Sequence, residues 1–393
     1  PAAQHFLHAR QWTMAATLLL DAAQDLIDEM QVDELCRALE AFPPDQLPPD
    51  VWRDTRLLLG DLLAETGRRH DALVALDQAL EVVTEPADQA RIFRRMGKLH
   101  EAGDPQQALE EYRQAIELLR GDDPERIRLL KDRALLRLAR REWTEAEADL
   151  SAALAHMTRQ PADVRPEARA EVYDALALLY RHKRQFAQAI RYARMALAQR
   201  EEVGDLPRAA RALDNLGLIY DDMGDPQHAI AAYRAAVDAY EKLGNQELVA
   251  GTLLNIGAAQ HQDGQPAAAA DTYRQSLALC QESDLPRVEV RARYSLAEVC
   301  VALGETDEAR GHWQAGYQRS LEAGLDDEAE GFRELQVDLP ALRDAATEAA
   351  PHAVTEAVDD EQSDTGQKAR NVAPLPDDQE ILDLARDQGA ITT

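Results

Sequence analysis

The chain repeats itself. The segment LDNLGLIYDDMGDPQHAIAAYRAAVDAY (213–240) returns forty residues later as LLNIGAAQHQDGQPAAAADTYRQSLALC (253–280), and again as YSLAEVCVALGETDEARGHWQAGYQRS (294–320). Registered on one recurrent alanine, the units fall at Ala72, Ala108, Ala146, Ala189, Ala229, Ala269 and Ala309, with spacings of 36, 38, 43, 40, 40 and 40. A glycine precedes that alanine by five residues in five of the seven units: Gly67, Gly103, Gly224, Gly264 and Gly304. A large apolar residue follows it by four in all but one: Leu76, Tyr112, Leu150, Tyr233, Tyr273 and Trp313. Self-similarity at this period restricts the chain to stacked supersecondary units, because no single unit buries its own apolar face.

Within a unit the punctuation predicts two antiparallel helices. Gly224 in DDMGDPQ ends the first and Pro226 starts the second. A helical Gly217 costs about 1 kcal/mol relative to Ala, so a packing reason is expected. Gly217 and Ala229 are small so that the two axes approach, with Tyr220 and Tyr233 filling the space against the neighbouring unit. These residues resemble the tetratricopeptide repeat, whose consensus is met by Leu213, Leu216-Gly217, Tyr220, Ala229, Tyr233 and Ala236. The resemblance is strongest over 211–241 and 251–281 and good over 55–83 and 291–320. It degrades over 127–155, where Arg133 and Arg137 occupy expected apolar positions through a slipped register or a rotated helix. It implies an all-α fold: a right-handed superhelical solenoid of about seven to eight units, spanning 51–337. The forty-residue period suggests longer helices, as in repeats of the kinesin-light-chain type.

Residues 1–50 are less regular: a half-matched unit around Trp12 and Ala15, a short helix at 33–42, and a Pro-rich turn ending at Asp50. With LEAFPPDQLP (39–48) leading into LLLGDLLAETGRRHDALVALDQAL (57–80), this opening resembles the start of the helical sensor region in STAND signal-transduction ATPases related to the maltose-operon activator. The resemblance covers roughly residues 5–83. It implies a nucleotide-binding domain upstream, able to contact the array intramolecularly. The chain starts with Pro and no signal-peptide pattern, so it is expected to be a piece of a longer polypeptide. It contains no G-x-x-x-x-G-K-[ST] phosphate loop of its own.

Past Phe332 the aromatics stop. The acidic run 338–376 lacks the apolar content to offset its ordering entropy and is expected to be a flexible linker. QEILDLARDQGAITT (377–393 with its two preceding Asp) turns amphipathic again and looks like the first helix of a truncated helix-turn-helix domain.

Charge and cysteine content narrow the function. The net charge of −29 opposes direct nucleic-acid binding by the array. No run of about 20 apolar residues is present to span a bilayer. Cys36, Cys280 and Cys300 include no C-x-x-C pair, which disfavours a disulfide scaffold and favours a reducing, cytoplasmic location. A basic cluster at Arg126, Arg128, Lys131, Arg133, Arg137, Arg140 and Arg141 reads either as an anion or docking site or as a solvated, ion-paired face. His5 and His8 are most simply terminal and exposed. No catalytic motif, metal site or cofactor signature is found, so no enzyme is expected.

What remains is a binding surface. First helices line the concave face of such an array, which places Asp174 and Arg181, then Arg211, Asp214, Asn215, Asp221 and Asp222, then Asn255, His261 and Gln262, and finally Tyr294 in the groove. In peptide-binding repeats of this type an Asn before the Leu-Gly pair grips the ligand backbone. Asn215 and Asn255 match it, though each could instead tie adjacent helices together. A peptide, protein or small-molecule inducer is the expected ligand. Two function classes follow: a sensor region of a larger STAND-type regulator of signalling or transcription, or a free-standing adaptor that scaffolds protein complexes.

Overall fold

A computed structural model of the chain describes residues 10–339 and 342, apart from 29, 30, 120, 122, 160, 162 and 163. Among the described residues there are helices and no strand. They divide into two compact units between Ala168 and Arg169. His5, His8, the terminal helix at 377–393 and nearly all of the 338–376 segment lie outside the described residues.

The first unit opens with α1 (Trp12–Asp21), α2 (Ala23–Asp28), α3 (Val32–Glu40) and a 3-10 turn at Pro44–Gln46. Their apolar residues Ala15, Leu19, Leu35, Leu39 and Phe42 share one core with Trp52, Leu59 and Leu63 of α4 (Pro49–Glu65). Trp12 meets Phe42 edge-on at 6.3 Å. Arg56 is buried in this core, where its guanidinium donates to the Leu39 carbonyl and lies 4.2 Å from the Trp52 ring centre. Burial lowers its pKa to about 10, against the pull of Glu40. Three helical pairs follow: α4 with α5 (Arg69–Leu80), α6 (Pro86–His100) with α7 (Pro105–Leu118), and α8 (Glu125–Ala139) with α9 (Trp143–Arg159).

Arg133 and Arg137 of α8 explain the degenerate repeat. Arg133 makes a two-pronged contact with Asp149 of α9 at 2.9 and 2.5 Å, and Arg137 reaches the same carboxylate at 2.6 Å. Asp149 is buried, while Ala134 and Leu150 keep the apolar register. An ion-paired seam therefore replaces apolar contact within this pair, and neither a slip nor a rotation is needed.

The second unit is built from α10 (Pro166–His182), whose body lies in it, paired with α11 (Phe186–Glu202). Next come α12 (Leu206–Met223) with α13 (Pro226–Lys242), α14 (Gln246–Gln262) with α15 (Pro266–Ser283), and α16 (Pro286–Leu303) with α17 (Thr306–Glu322). The helix α18 (Asp326–Asp338) closes it. The turn between α12 and α13 shows how the sequence sets the pair. Gly224 takes φ 81°, a left-handed value that lets the chain reverse, and Asp225 caps α13 by accepting from the His228 amide at 3.2 Å. In the two units without that glycine, Arg141 and Arg184 adopt the left-handed conformation themselves, at φ 61° and 56°.

Gly217 answers to a ring. A methyl group on its Cα would lie 2.4 Å from Tyr233, and the same holds at Gly257 against Tyr273. Tyr233 thus seats on Gly217 within its own pair, a correction to the expected placement against the neighbouring unit. Tyr220 does reach outward, since its hydroxyl accepts from Arg194 of α11 at 3.1 Å while its ring stacks on His228. The unit that lacks a large residue four after the alanine has Ala193 there. Its ring comes one residue earlier, from Tyr192, which stacks on Tyr173 at 6.1 Å and Tyr180 at 5.6 Å.

Candidate ligand-binding face of the second unit

The residues expected to line the groove lie on first helices, and the structure joins several of them across neighbouring pairs. Arg181, near the end of α10, meets Asp222 of α12 at 2.5 Å. Asp214 of α12 accepts from the Thr252 hydroxyl of α14 at 3.3 Å and is also hydrogen-bonded by the Asn255 side chain. Burial raises the Asp214 carboxyl above its ordinary range in spite of these two bonds. Asp174 of α10 is held by the buried guanidinium of Arg200 from α11, one contact being 3.2 Å. Its pKa is pushed up by burial and pulled down by Arg200.

The remaining residues are differently placed. Arg211 is exposed and acts on Asp174 only through space. Asn215 is exposed, one residue from Asp214, whereas its counterpart Asn255 is half-buried. Asp221 is half-buried with its pKa raised by burial and by the adjacent Asp222, against Arg181. His261 and Gln262 stand at the end of α14, the first half-buried and the second exposed. Tyr294 of α16 packs edge-on against Phe332 of α18, with ring centres 5.4 Å apart. The structure therefore draws Arg181, Asp214, Asp221, Asp222 and Asn255 toward one another and engages Tyr294 elsewhere.

Sequence reasoning missed Thr252, Arg200 and the hydroxyl of Tyr233. The repeat pattern explains Tyr233 as a core ring, yet a core ring needs no oxygen. That superfluous hydroxyl was the available signal. It is buried, and burial with nearby Asp221 and Asp214 keeps it protonated well above the usual tyrosine range.

The basic cluster of the first unit is mostly engaged within the protein. Arg126 donates to the carbonyls of Ile116 and Leu119, Arg128 pairs with Glu125, and Arg140 pairs with Glu142. Lys131 joins Arg94 and Lys98 around Asp132, which is fully buried. A hollow of about 740 Å³ opens beside Arg126, Leu130, His156 and Arg159. At the turn from α16 to α17, Cys300, Glu305 and Glu308 gather within 4.8 Å, and Arg274 supplies the opposing charge to both glutamates. Among the described residues no helix is long and apolar enough to cross a membrane.

Two family profiles, both described as tetratricopeptide repeat, match residues 168–242 and 215–284. Sequence comparison with curated proteins gives no significant match. Among solved structures the chain is similar to a signal transduction ATPase with numerous domains (STAND) carrying a tetratricopeptide repeat sensor, from Pyrococcus horikoshii. There the TM-score is 0.61 at 15% identity, covering 82% of this chain and 50% of that one. It is similar to a Rap protein complexed with competence and sporulation factor, with TM-score 0.50 and 14% identity over 84% of this chain and 98% of that one. The apo form of the quorum sensor NprR from B. thuringiensis gives TM-score 0.50 at 18% identity over 87% and 84%. At such identities the likeness is one of fold. This chain carries tetratricopeptide repeats, recognised over residues 168–284 and set in an all-helical fold.

Proposed function

We propose that the chain is the ligand-sensing repeat region of a cytoplasmic STAND-type regulator, and that its first-helix face in the second unit binds a peptide or a protein segment. The observation that carries this reading is the polar series on consecutive first helices. Arg181 with Asp222, Asp214 with Asn255, and the exposed Asn215 offer charge and amide groups at repeat spacing. An amide side chain presents a donor and an acceptor together, which suits a peptide bond. The fold supports it too: a STAND protein uses such repeats as a sensor, and a Rap protein of similar fold was solved with competence and sporulation factor. In a sensor of this kind the bound ligand would be relayed to a nucleotide-driven switch outside this chain.

Selection of a random heptapeptide library on the immobilised chain tests the reading. Retained peptides should bind Asn215→Ala about threefold to tenfold more weakly, the loss of one hydrogen bond at about 0.5–1.5 kcal/mol. Equal affinity for the variant would remove the amide from the binding face. A chain that retains no peptide but pulls down folded partner proteins would instead be the scaffolding adaptor.

A further inference from the structure

Three repeats meet one problem, and two of them solve it. Each has a tyrosine on its second helix, seated on a glycine of the first: Tyr112 on Gly97, Tyr233 on Gly217 and Tyr273 on Gly257. Each ring is buried, so its hydroxyl needs a partner inside the protein. Tyr112 donates to Glu101, four residues past its glycine, at 2.6 Å. Tyr273 is bonded to Ser295 on the next first helix. Tyr233 has neither solution. The residue four past Gly217 is Asp221, one methylene shorter than Glu101, and the stretch from the glycine to its tyrosine is one residue longer in that unit. The counterpart of Ser295 is Asn255, which is committed to Asp214.

The result is a pair of buried polar atoms, the Tyr233 hydroxyl and Asp221 Oδ1, neither with a hydrogen-bond partner. Tyr233 itself is fully buried. Leaving such groups unsatisfied is costly, and each seeks a partner. The charge around them is one-sided. Asp214, Asp221 and Asp222 all act on Tyr233, and the one guanidinium that opposes them, Arg181, is spent on Asp222 at 2.5 Å. A carboxylate oxygen that accepts and a tyrosine hydroxyl that accepts on its lone pairs while keeping its own proton to donate, amid uncompensated negative charge, select a positively charged donor.

We infer that Asp221, Tyr233 and Asp214 form a subsite for an ammonium or guanidinium group, supplied by a lysine or arginine side chain of the bound peptide. This specifies the ligand of the face described above and rests on that reading for the word peptide. Asp221 accepts the charged donor, the Tyr233 hydroxyl accepts a second N–H, and Asp214, tied to α14 through Thr252 and Asn255, adds charge without moving.

Calorimetric titration of the full chain with N-acetylarginine amide and with its neutral isostere, N-acetylcitrulline amide, tests the subsite directly. The arginine compound should bind at least tenfold more tightly. Two variants should abolish the difference: Asp221→Glu, which gives the carboxylate the reach that Glu101 has, and Tyr233→Phe, which keeps the ring on Gly217 and removes the hydroxyl alone. The heptapeptide selection supplies the second arm, with lysine and arginine enriched on the native chain and not on either variant. Equal binding of both amides by the native chain, as for a site filled by solvent, overturns the inference, as does a preference that survives in both folded variants. Peptides retained without basic enrichment overturn it while leaving the peptide reading standing. Binding of the arginine compound with no peptide retained keeps the cation subsite and overturns the peptide as its source.

Discussion

At the scale of single residues, side-chain volume and backbone angle make separate demands. Gly217→Ala adds a methyl group that would sit 2.4 Å from the Tyr233 ring, and the ring is buried with no room to retreat. Overpacking of this kind costs about 1–3 kcal/mol, which exceeds the roughly 1 kcal/mol that alanine gains in helix propensity. Chemical denaturation should therefore show a less stable protein. Arg184→Gly should do the reverse. Its φ of 56° strains any residue with a Cβ, by about 1–2 kcal/mol. Part of that is recovered as stability in the same denaturation measurement. Asp132 makes a third case. Burial pushes its carboxyl up, but Lys131, Arg94 and Lys98 together hold it below its ordinary value. A depressed folded pKa contributes stability that is present above the unfolded carboxylate pKa and lost as pH falls through the folded one. Asp132→Asn should then cost about 1–3 kcal/mol at neutral pH, by removing the buried carboxylate that Arg94, Lys98 and Lys131 share. The gap from the native protein should narrow in denaturation curves taken at progressively lower pH.

At the scale of elements, legibility followed the strength of the pattern. The α12–α13 and α14–α15 pairs could be drawn from sequence because a helix stop, a helix start and a ring with its glycine recur together at forty-residue spacing. The α8–α9 pair was harder. Arg133 and Arg137 break the apolar pattern, and nothing local says that Asp149, on the other helix, receives both. The candidate face was legible as a set of positions and illegible as a set of bonds, because hydrogen bonds between first helices join residues about forty apart. Asn215 and Asn255 hold the same place in the repeat, yet one is exposed and the other is bonded to Asp214. They should separate experimentally. Asn255→Ala leaves Asp214 with one fewer partner in a buried setting and should lower the melting temperature by a few degrees, in line with about 1 kcal/mol. Asn215→Ala should leave the melting temperature nearly unchanged in the same scan.

At the scale of the whole molecule, contacts run chiefly between sequence neighbours, so stability is a sum of local terms and not the property of one central core. The second unit has its own buried cluster, from Ala250 through Leu296 to Leu335. A fragment of residues 169–339 should thus remain helical and melt in a cooperative transition by circular dichroism. A fragment that is largely unstructured would show that the division at Ala168 is one of contact density alone. The left-handed residues that separate successive pairs, Gly204, Gly244, Asp284 and Gly324, are each forty residues apart. That regularity makes the second unit extensible. An in-frame duplication of residues 206–245 would insert a storey whose outer surfaces keep their complements in α11 and α14, with one new junction in which α13 meets a second copy of α12 at the repeat position that α14 holds in the native chain. The face could lengthen by a whole rung with no existing rung redesigned. What such a protein recognises would then grow in steps, one repeat's worth of ligand at a time, as a ruler grows by its divisions.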